Sequence, residues 1–345
     1  MNRRKPRKLF KQLPAWQVAL ADVLAIGICL LVFAYFDHVK PSVYTKDTSN
    51  QNISVSENNQ QTNAQQENPP MQNGAETPVP TVEPTANPAD SWRAKFADQF
   101  VSGEPVRTST SYKSENVSVT LTMYSVPEEE LTYYVQDVYV ANIESIRNVF
   151  ADDTFGKGIT EEVVEMDNRV GAIGAINGDY YGHGSVGVVI RNGVLYRESW
   201  APDQDVMVLF RDGTMKAYSS EKEFNAQAVM AAGAWQAWCF GPSLLDANGE
   251  LLESYERTKH DPRTVFGMIE PGHYVLITID GRQPGYSEGT TYSETAKLCK
   301  ELGCVAAYNL DGGKTSQMTF NGHIVNSPYE GGRKLSDLIY IADIG

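Results

Sequence analysis

Residues 305–326 read VAAYNLDGGKTSQMTFNGHIVN, and this stretch contains the pattern on which the fold depends. A short apolar run ends in a glycine-rich loop that carries Asp311, and a second apolar run follows. Asn321 and Gly322 interrupt the second run, and an Asn-Gly pair between apolar runs predicts a β-hairpin. The stretch therefore predicts a strand, a polar loop and a hairpin in succession.

Similar units precede this stretch, and together they predict the fold class. The pairs Asn192–Gly193 and Asp212–Gly213 predict two further hairpins. The other predicted elements are strands at 116–126, 131–142 and 273–282, a helix or loop at 143–151, a helix followed by a buried strand at 161–178, and a helix at 291–304. Strands dominate, so we predict a single α+β domain over 106–345, with a mixed sheet and flanking helices.

The N-terminal region has a different character. Residues 1–14 contain six basic residues and no acid, and 15–36 read AWQVALADVLAIGICLLVFAYF, with Asp22 as the single charge. Such a run is long enough to cross a bilayer. Because positive residues stay in the cytoplasm, residues 1–14 are predicted to be cytoplasmic and 37–345 to lie outside. We expect an uncleaved single-pass anchor in the cell membrane, and a cleaved signal peptide or a buried core helix are the alternatives.

The segment 37–105 is predicted to connect the anchor to the domain. Residues 38–90 are rich in Asn, Gln, Ser, Thr and Pro and have almost no aliphatic periodicity. Such a composition cannot bury enough apolar surface to fold, so we predict a disordered stalk. Residues 91–105 are predicted to form a short helix that leads into the domain.

Charge and cysteine content exclude several functions. The formal net charge is -14, which argues against nucleic acid as a partner. Outside the anchor stand Cys239, Cys299 and Cys304, an odd number that does not suit a disulfide framework. We expect buried thiols, and a bridge between Cys299 and Cys304 stays open. The absence of C-x-x-C and H-E-x-x-H patterns argues against a structural zinc site.

Three glycine-rich loops carry the candidate functional residues. They are AINGDYYGHG (175–184, with Asn177, Asp179 and His183), TIDGRQPGYSEG (278–289, with Asp280 and Arg282) and YNLDGGKTSQ (308–317, with Asn309, Asp311, Lys314 and Ser316). Polar residues on glycine loops after buried strands are common in active sites, because glycine lets a ligand approach the backbone. A single Asp-Gly pair is more often only a turn. The density of polar groups in these loops favours a functional site.

Two further segments are candidates for binding phosphate. Arg263 in KHDPRTVFGMIE (259–270) opens a predicted strand, where its guanidinium can bind a phosphate or a carboxylate, or form a surface ion pair. The segment DGGKTS matches the end of a nucleotide-binding P-loop. Tyr308 stands where that motif requires glycine, and a strand is predicted where a helix should follow, so we reject the P-loop.

In their order along the chain, these pieces resemble the phosphodiester glycosidase family. The matching segments are NGDYY (177–181), GVVIRNGVLY (187–196), CFGPSLLDANGEL (239–251), PRTVFGM (262–268), TIDGRQPGYSEG (278–289) and NLDGGKTSQM (309–318). The family usually has Asn-Gly-Gly in the first loop, where this chain has Asp179. It usually has Asp-Gly-Gly-Gly-Ser in the last loop, where this chain has Lys314 and Thr315. Bacterial members are often membrane-anchored or secreted, and many are associated with exopolysaccharide.

The resemblance implies an extracytoplasmic hydrolase that cleaves a sugar-1-phosphodiester in cell-surface or exopolysaccharide material. The carboxylates that would stabilise the cation-like sugar or activate water are Asp311 first, then Asp179 and Asp280. The residues that would bind substrate are Asn177, Arg263, Arg282, Asn309, Gly312, Gly313, Lys314 and Ser316. His183 is either an acid or a solvated loop residue.

Several alternatives stay open at this point. No cofactor is assigned, although the three aspartates are of the type that binds a divalent cation. The non-enzymatic alternative is a module that binds cell-wall glycan or teichoic polymer without turnover. A glycosidase acting on neutral glycans is a second rival, against which the Arg and Lys in the loops argue.

Overall fold

The computed structural model of the protein describes residues 42–43, 88–255 and 258–344 and is built mostly of strands. The described strands are β1 (Ser42–Val43), β2 (Val106–Arg107), β3 (Ser111–Lys113), β4 (Val117–Val126), β5 (Leu131–Val140), β6 (Ile146–Phe150), β7 (Gly156–Lys157), β8 (Gly174–Asn177), β9 (Val189–Arg191), β10 (Val194–Arg197), β11 (Val206–Phe210), β12 (Met215–Tyr218), β13 (Ala234–Cys239), β14 (Arg263–Glu270), β15 (His273–Ile279), β16 (Ala306–Asn309), β17 (Met318–Phe320), β18 (His323–Ile324) and β19 (Asp337–Ile341). The described helices are α1 (Pro88–Lys95), α2 (Val163–Val170), α3 (Ala226–Ala231) and α4 (Tyr292–Glu301).

The strands form three main sheets. The large sheet has the order β16-β14-β15-β5-β4-β3-β2, the middle sheet β10-β9-β13-β11-β12, and the C-terminal sheet β18-β17-β8-β19-β6, while β1 pairs with β7. Every strand pair among the described residues is antiparallel. The prediction of a mixed sheet is therefore wrong. Parallel neighbours need long crossover connections, usually helical, and this chain instead returns through hairpins and loops.

Among the described residues, the largest hydrophobic cluster is shared by all three sheets. It includes Phe266 of the large sheet, Trp238 of the middle sheet and Ile339 of the C-terminal sheet, all fully buried. The rings of Trp238 and Phe266 lie 5.0 Å apart, at a distance typical of favourable aromatic pairs. Because the sheets share this core, loops at their strand ends are held in fixed relative positions.

Most local predictions are confirmed. The hairpin at Asn192–Gly193 places both residues at positive φ, as a turn of this kind requires. Helix α4 begins after Thr291, whose hydroxyl and Glu294 form a reciprocal capping box. The prediction of a helix or loop at 143–151 is wrong, because most of it is β6, which pairs with β19 at the edge of the C-terminal sheet.

The N-terminal predictions lie mostly outside the described residues, including the basic tip 1–14 and the anchor 15–36. Among the residues that the structure describes, no helix is both long and apolar enough to span a bilayer. Helix α1 precedes the predicted domain boundary at 106, and Trp92 and Phe96 at this end of the chain pack into the shared core.

The cysteines outside the predicted anchor are confirmed as buried thiols. Cys239, Cys299 and Cys304 are all free and buried, and Cys299 and Cys304 are not bridged.

Three strand ends meet at one place and position the candidate site. β8 ends at Asn177, β19 begins at Asp337, and β16 ends shortly before Asp311. Leu338 pairs with Asn177 in the C-terminal sheet, which brings the start of β19 beside the end of β8. The peptide N–H of Asp311 donates to the carbonyl of Gly178 at 3.4 Å, so the loop after β16 in the large sheet joins the loop after β8.

Candidate active site

Asn177 fixes the loop that carries Asp311. Its Nδ2 donates to the carbonyl of Asp311 at 2.8 Å and to that of Gly178 at 3.0 Å. Its Oδ1 accepts a hydrogen bond from the hydroxyl of Thr264 at 2.7 Å. The side chain is buried, and a buried amide that is bonded at both ends holds both loops rigidly. Asn177 therefore positions Asp311, and it also lines the cavity beside Asp311.

Asp311 places a carboxylate at the surface of that cavity. Its Oδ1 accepts from the peptide N–H of Gly312 at 2.8 Å, and its Oδ2 accepts from Nη2 of Arg333 at 2.9 Å. Burial raises the pKa of Asp311 above its ordinary value, and the Arg333 guanidinium acts in the opposite direction. The carboxylate is thus partly withdrawn from water and paired with a cation that is itself 41% exposed.

The cavity, hereafter the site pocket, has a volume of about 290 Å³. Its lining residues come from the loops after β8 and β16, from the loop before β19 and from the segment after β7. They are Gly158, Thr160, Asn177, Gly178, Tyr180, Gly182, His183, Asp311, Thr315, Arg333, Lys334, Leu335, Ser336 and Asp337.

One wall of the site pocket is aromatic and basic. The Arg333 guanidinium lies 5.0 Å from the ring centroid of Tyr180, and the ring of Tyr180 stacks on that of His183 at 4.5 Å. Lys334 is half exposed, with its Nζ 3.7 Å from Glu162. Such a wall suits an anionic ligand, because guanidinium and ammonium groups bind phosphate through charge-assisted hydrogen bonds.

Asp337 adds a second carboxyl to the pocket wall. Its Oδ2 accepts from Nε of Arg191 at 3.0 Å and from Nδ2 of Asn148 at 3.2 Å. Burial raises the pKa of Asp337, against the influence of Arg191. A Cβ built on Gly178 would lie 2.1 Å from Oδ1 of Asp337, so only glycine fits between this carboxyl and the loop.

Asp179 lies behind the pocket, on the other side of Arg191. Its Oδ1 accepts from Nη2 of Arg191 at 2.7 Å and from the peptide N–H of Tyr181, and its Oδ2 accepts from the peptide N–H of Cys239 at 2.7 Å. The side chain is fully buried and does not line the site pocket. This geometry gives Asp179 a structural partner for each oxygen and no path to a substrate in the pocket.

Asp280 also lies away from the site pocket. It accepts from Nδ2 of Asn326 at 2.7 Å, from the hydroxyl of Tyr286 at 2.8 Å and from the peptide N–H of Ser327 at 2.9 Å. The side chain is buried, and burial raises the pKa of its carboxyl. Asp280 thus ties the loop after β15 to the loop after β18.

Arg263 and Arg282 surround a different acid. Nε of Arg282 donates to Asp261 at 2.8 Å, and Nη2 of Arg263 lies 3.8 Å from the same carboxylate. Arg263 is buried, donates to the carbonyl of Thr290 at 3.0 Å and lies over the ring of Tyr292. Neither arginine lines the site pocket, although Nη1 of Arg282 would lie 3.2 Å from a Cβ built on Gly313 in the Asp311 loop.

The backbone N–H groups predicted to hold phosphate are engaged within the loop. The N–H of Gly312 donates to Asp311, and the N–H of Gly313 donates to the carbonyl of Pro262 at 3.1 Å. Gly313 has a φ of 69°, in the region that favours glycine. These groups shape the loop around Asp311.

The last three predicted binding residues lie outside the pocket lining. Asn309 is buried and donates to the carbonyl of Gly241 at 2.8 Å. Lys314 forms an ion pair with Glu330 on the surface. Ser316 is buried, and its carbonyl accepts from Asn326, whose position is therefore coupled to this loop.

Sequence reasoning missed several lining residues. Tyr180 lies inside the NGDYY segment, from which only Asn177 and Asp179 were predicted to belong to the site. Arg333 and Lys334 form a basic doublet after two glycines, which was the available signal. Asp337 opens an apolar strand, and an acid at that position is a second signal that a site lies at the strand end.

The three predicted aspartates do not form one metal-ligand set. Each has its own protein donors, and within the described ranges no group of His, Cys, Asp and Glu side chains is arranged to hold a metal ion.

The structure is a β-rich domain with a carboxylate beside a basic and aromatic pocket wall. The sequence model of the phosphodiester glycosidase family matches residues 170–342, about half of the chain. The protein belongs to the phosphodiester glycosidase family, which confirms the resemblance drawn from the motifs.

The chain is also similar to a curated protein and to solved structures. The SPbeta prophage-derived uncharacterized protein YomE of Bacillus subtilis (strain 168) is 32% identical over 186 residues, which cover 51% of this chain and 29% of YomE. The chain thus spans less than a third of that relative. The zebrafish N-acetylglucosamine-1-phosphodiester alpha-N-acetylglucosaminidase catalytic domain, auto-inhibited by its pro-peptide, superposes with a TM-score of 0.53 at 18% identity, over 71% of this chain and 89% of that chain. This likeness shows the fold alone. A hypothetical protein from Synechocystis has a TM-score of 0.43 at 15% identity, over 66% and 62%.

Proposed function

We propose that this protein hydrolyses a sugar-1-phosphodiester, the bond between an anomeric carbon and a phosphate that carries a second group. The observation that carries the proposal is the site pocket, in which Asp311 lies among Arg333, Lys334 and His183. Hydrolysis of this bond requires a group that holds the phosphate charge and a carboxylate near the sugar. The pocket offers both, and family membership supports the same reaction.

Arg333 and Lys334 are the proposed phosphate ligands. A guanidinium has five N–H donors, and Arg333 uses Nη2 for Asp311, so further donors can turn to a phosphate in the cavity. Lys334 adds a mobile charge at the rim. This assignment replaces Arg263, Arg282 and Lys314, which do not line the site pocket.

Asp311 is the proposed catalytic carboxylate, acting in its ionised form. It stabilises positive charge at the anomeric carbon or accepts a proton from the attacking water, as carboxylates do in glycosidases. The water oxygen bonds to the anomeric carbon, the bond from that carbon to the phosphate oxygen breaks, and the phosphate leaves as an anion. Because phosphate leaves readily as an anion, protonation of the leaving oxygen contributes little.

The proposed setting is outside the cytoplasm, on cell-surface or exopolysaccharide material. The basic tip 1–14 followed by the apolar run 15–36 supports this, since it has the pattern of a single-pass anchor. Protease added to intact cells should then digest the domain. Protection of the domain until the cells are lysed would exclude this location.

The first experiment measures release of free sugar from N-acetylglucosamine-1-phosphodiesters and UDP-sugars by the full chain in detergent. The Asp311→Asn variant should lose about 10²-fold or more of kcat, the lower range for loss of an acid–base group. The matched control is Asp280→Asn, which changes a buried carboxyl outside the pocket and should keep most of its activity. Thermal unfolding of both variants checks that they are folded.

The outcomes separate the proposal from its rivals. An equal loss of kcat in both variants, with both folded, would show that Asp311 is not the catalytic carboxylate. Hydrolysis of neutral glycans with no release from phosphodiesters would indicate an ordinary glycosidase. Absence of turnover, with binding of teichoic polymer intact in Asp311→Asn, would indicate a binding module.

A further inference from the structure

A second cavity lies beside the turn at Gly241 and Pro242. Its volume is about 670 Å³, against about 290 Å³ for the site pocket, and the two share no lining residue. Cavities of this size commonly hold small-molecule ligands. The nature of the ligand can be argued from the side chains that face the space.

Four aromatic side chains line the second cavity. Trp200, Phe240 and Tyr255 are half-buried, and Tyr292 is buried. Trp200 packs against Phe224 with ring centroids 5.8 Å apart. The hydroxyl of Tyr255 donates to the carbonyl of Leu244 at 2.8 Å, which fixes that ring in place. The cavity therefore presents aromatic rings in fixed positions, and a ligand can bind to them without ordering flexible side chains.

Planar polar side chains lie beside these rings. Asp205 accepts from the peptide N–H of Ser243 at 2.9 Å through Oδ2, and its Oδ1 has no hydrogen-bond partner among the described residues. Gln204 accepts from Sγ of Cys239 at 3.4 Å through Oε1, which leaves its amide group with two N–H donors. Asp203 completes the set at the exposed end. The cavity thus offers both acceptors and donors.

The charge of the described lining disfavours an anionic ligand. Two aspartates line the cavity, and the part of the chain that the structure describes contributes no Lys, Arg or His to it. The site pocket has the opposite character. The described lining therefore suits a neutral or cationic ligand that has hydroxyl-type groups for the carboxylate and amide and an apolar face for the rings.

We propose that the second cavity is a binding site for a neutral saccharide. Sugar hydroxyls donate to carboxylates and accept from amides, and the C–H face of a pyranose packs on aromatic rings, so this combination of side chains matches one ligand class. The site binds the sugar without cleaving it, and its existence does not depend on the reaction proposed for the site pocket.

The position of the cavity relates it to the site pocket. Nδ2 of Asn309 donates to the carbonyl of Gly241 at 2.8 Å, and the N–H of Asn309 donates to that of Pro242 at 3.2 Å. Two residues further on, Asp311 lines the site pocket. The saccharide site and the anion-binding pocket therefore flank the same strand end, an arrangement suited to a ligand with alternating neutral sugars and phosphates.

Binding of neutral tetrasaccharides of N-acetylglucosamine, glucose, mannose and galactose to the full chain in detergent tests this inference. Titration calorimetry and saturation-transfer NMR should detect at least one of them, and Trp200→Ala should weaken its binding 10-fold or more. Because Trp200 also packs against Phe224, Gln204→Ala serves as a second variant that removes only a half-buried polar group, with an expected loss of about 3-fold to 10-fold. Arg333→Met is the matched control in the site pocket and should bind the saccharide as the parent does.

The results that would overturn the inference are specific. Binding of none of the four saccharides would do so, as would binding that is unchanged in both Trp200→Ala and Gln204→Ala. Binding of the cation spermidine at this cavity, in place of any saccharide, would assign it to an amine ligand. Sugar binding lost in Arg333→Met but kept in Trp200→Ala would place the saccharide in the site pocket instead.

Discussion

Replacing Arg333 with methionine should move the pH dependence of hydrolysis, because this arginine is the cation paired with Asp311. Its Nη2 lies 2.9 Å from Oδ2 of the carboxylate. Burial raises the pKa of Asp311 and Arg333 lowers it, so removal of the guanidinium raises that pKa further. Since the ionised carboxylate is the proposed active form, the acid limb of kcat/KM must move to higher pH.

The size of the shift follows from the exposure of the pair. An opposite charge within hydrogen-bond distance lowers an Asp pKa by about 1–3 units. The Arg333 side chain is 41% exposed, and solvent screening places this pair at the low end of that range. We expect a shift of about one pH unit, with activity on the acid limb reduced about 10-fold. Above that limb KM should stay higher than in the parent, because Arg333 is also the proposed phosphate ligand.

Arg282→Met provides a matched control. Arg282 is 36% exposed, donates to Asp261 at 2.8 Å and lies over the ring of Tyr329, which reproduces the surroundings of Arg333 at a place outside the pocket. Profiles of kcat/KM against pH for the parent and both variants are the assay. An acid limb that stays in place in Arg333→Met, or that moves equally in Arg282→Met, would refute the pairing of Arg333 with a catalytic Asp311.

Three further predictions concern stability, measured by urea unfolding. Gly178→Ala should lower the free energy of unfolding by about 1–3 kcal/mol, the usual cost of overpacking, because its Cβ would lie 2.1 Å from a carboxylate oxygen of Asp337. The control Gly184→Ala should be close to neutral, because its Cβ would have its nearest contact at 3.7 Å. Asp179→Ala should cost about 3–5 kcal/mol, since it leaves Arg191 buried with one partner fewer. Burial raises the pKa of Asp167 in the folded state, so the unfolding free energy should fall as pH rises from its unfolded value of about 3.9 through the folded pKa. Asp167→Asn should remove this part of the slope, and an unchanged slope would contradict it.

The local elements could be predicted because their signals lie within a few residues. The hairpins at Asn192–Gly193 and Asn321–Gly322 depend on turn residues that tolerate positive φ, and α4 depends on a cap and a stop at its own ends. β6 could not be predicted, because the run Ile146–Phe150 is short and becomes a strand only by pairing with β19 near the end of the chain.

The residues that form the site were harder to predict than the fold. Asp311 and Asn177 were both identified from their loops, and the structure brings them to one pocket. Arg333 is 22 residues from Asp311, and Asp337 reaches the pocket only because β19 pairs with β8. These contacts depend on strand register between distant segments, which no local pattern encodes.

Asp311 differs from Asp179 and Asp280 in having an ion-pair partner, Arg333, that is open to solvent. Asp179 shares a fully buried contact with Arg191, and separating such a pair costs several kcal/mol, so no substrate can take over that arginine. Asp280 is held by neutral donors inside a loop junction. In the Asp311 pair the arginine side chain is 41% exposed, and ion pairs open to solvent contribute about 1 kcal/mol or less. A phosphate entering the pocket can therefore replace water around Arg333 and share its donors with Asp311, which makes this aspartate the one whose partner is free to bind a substrate.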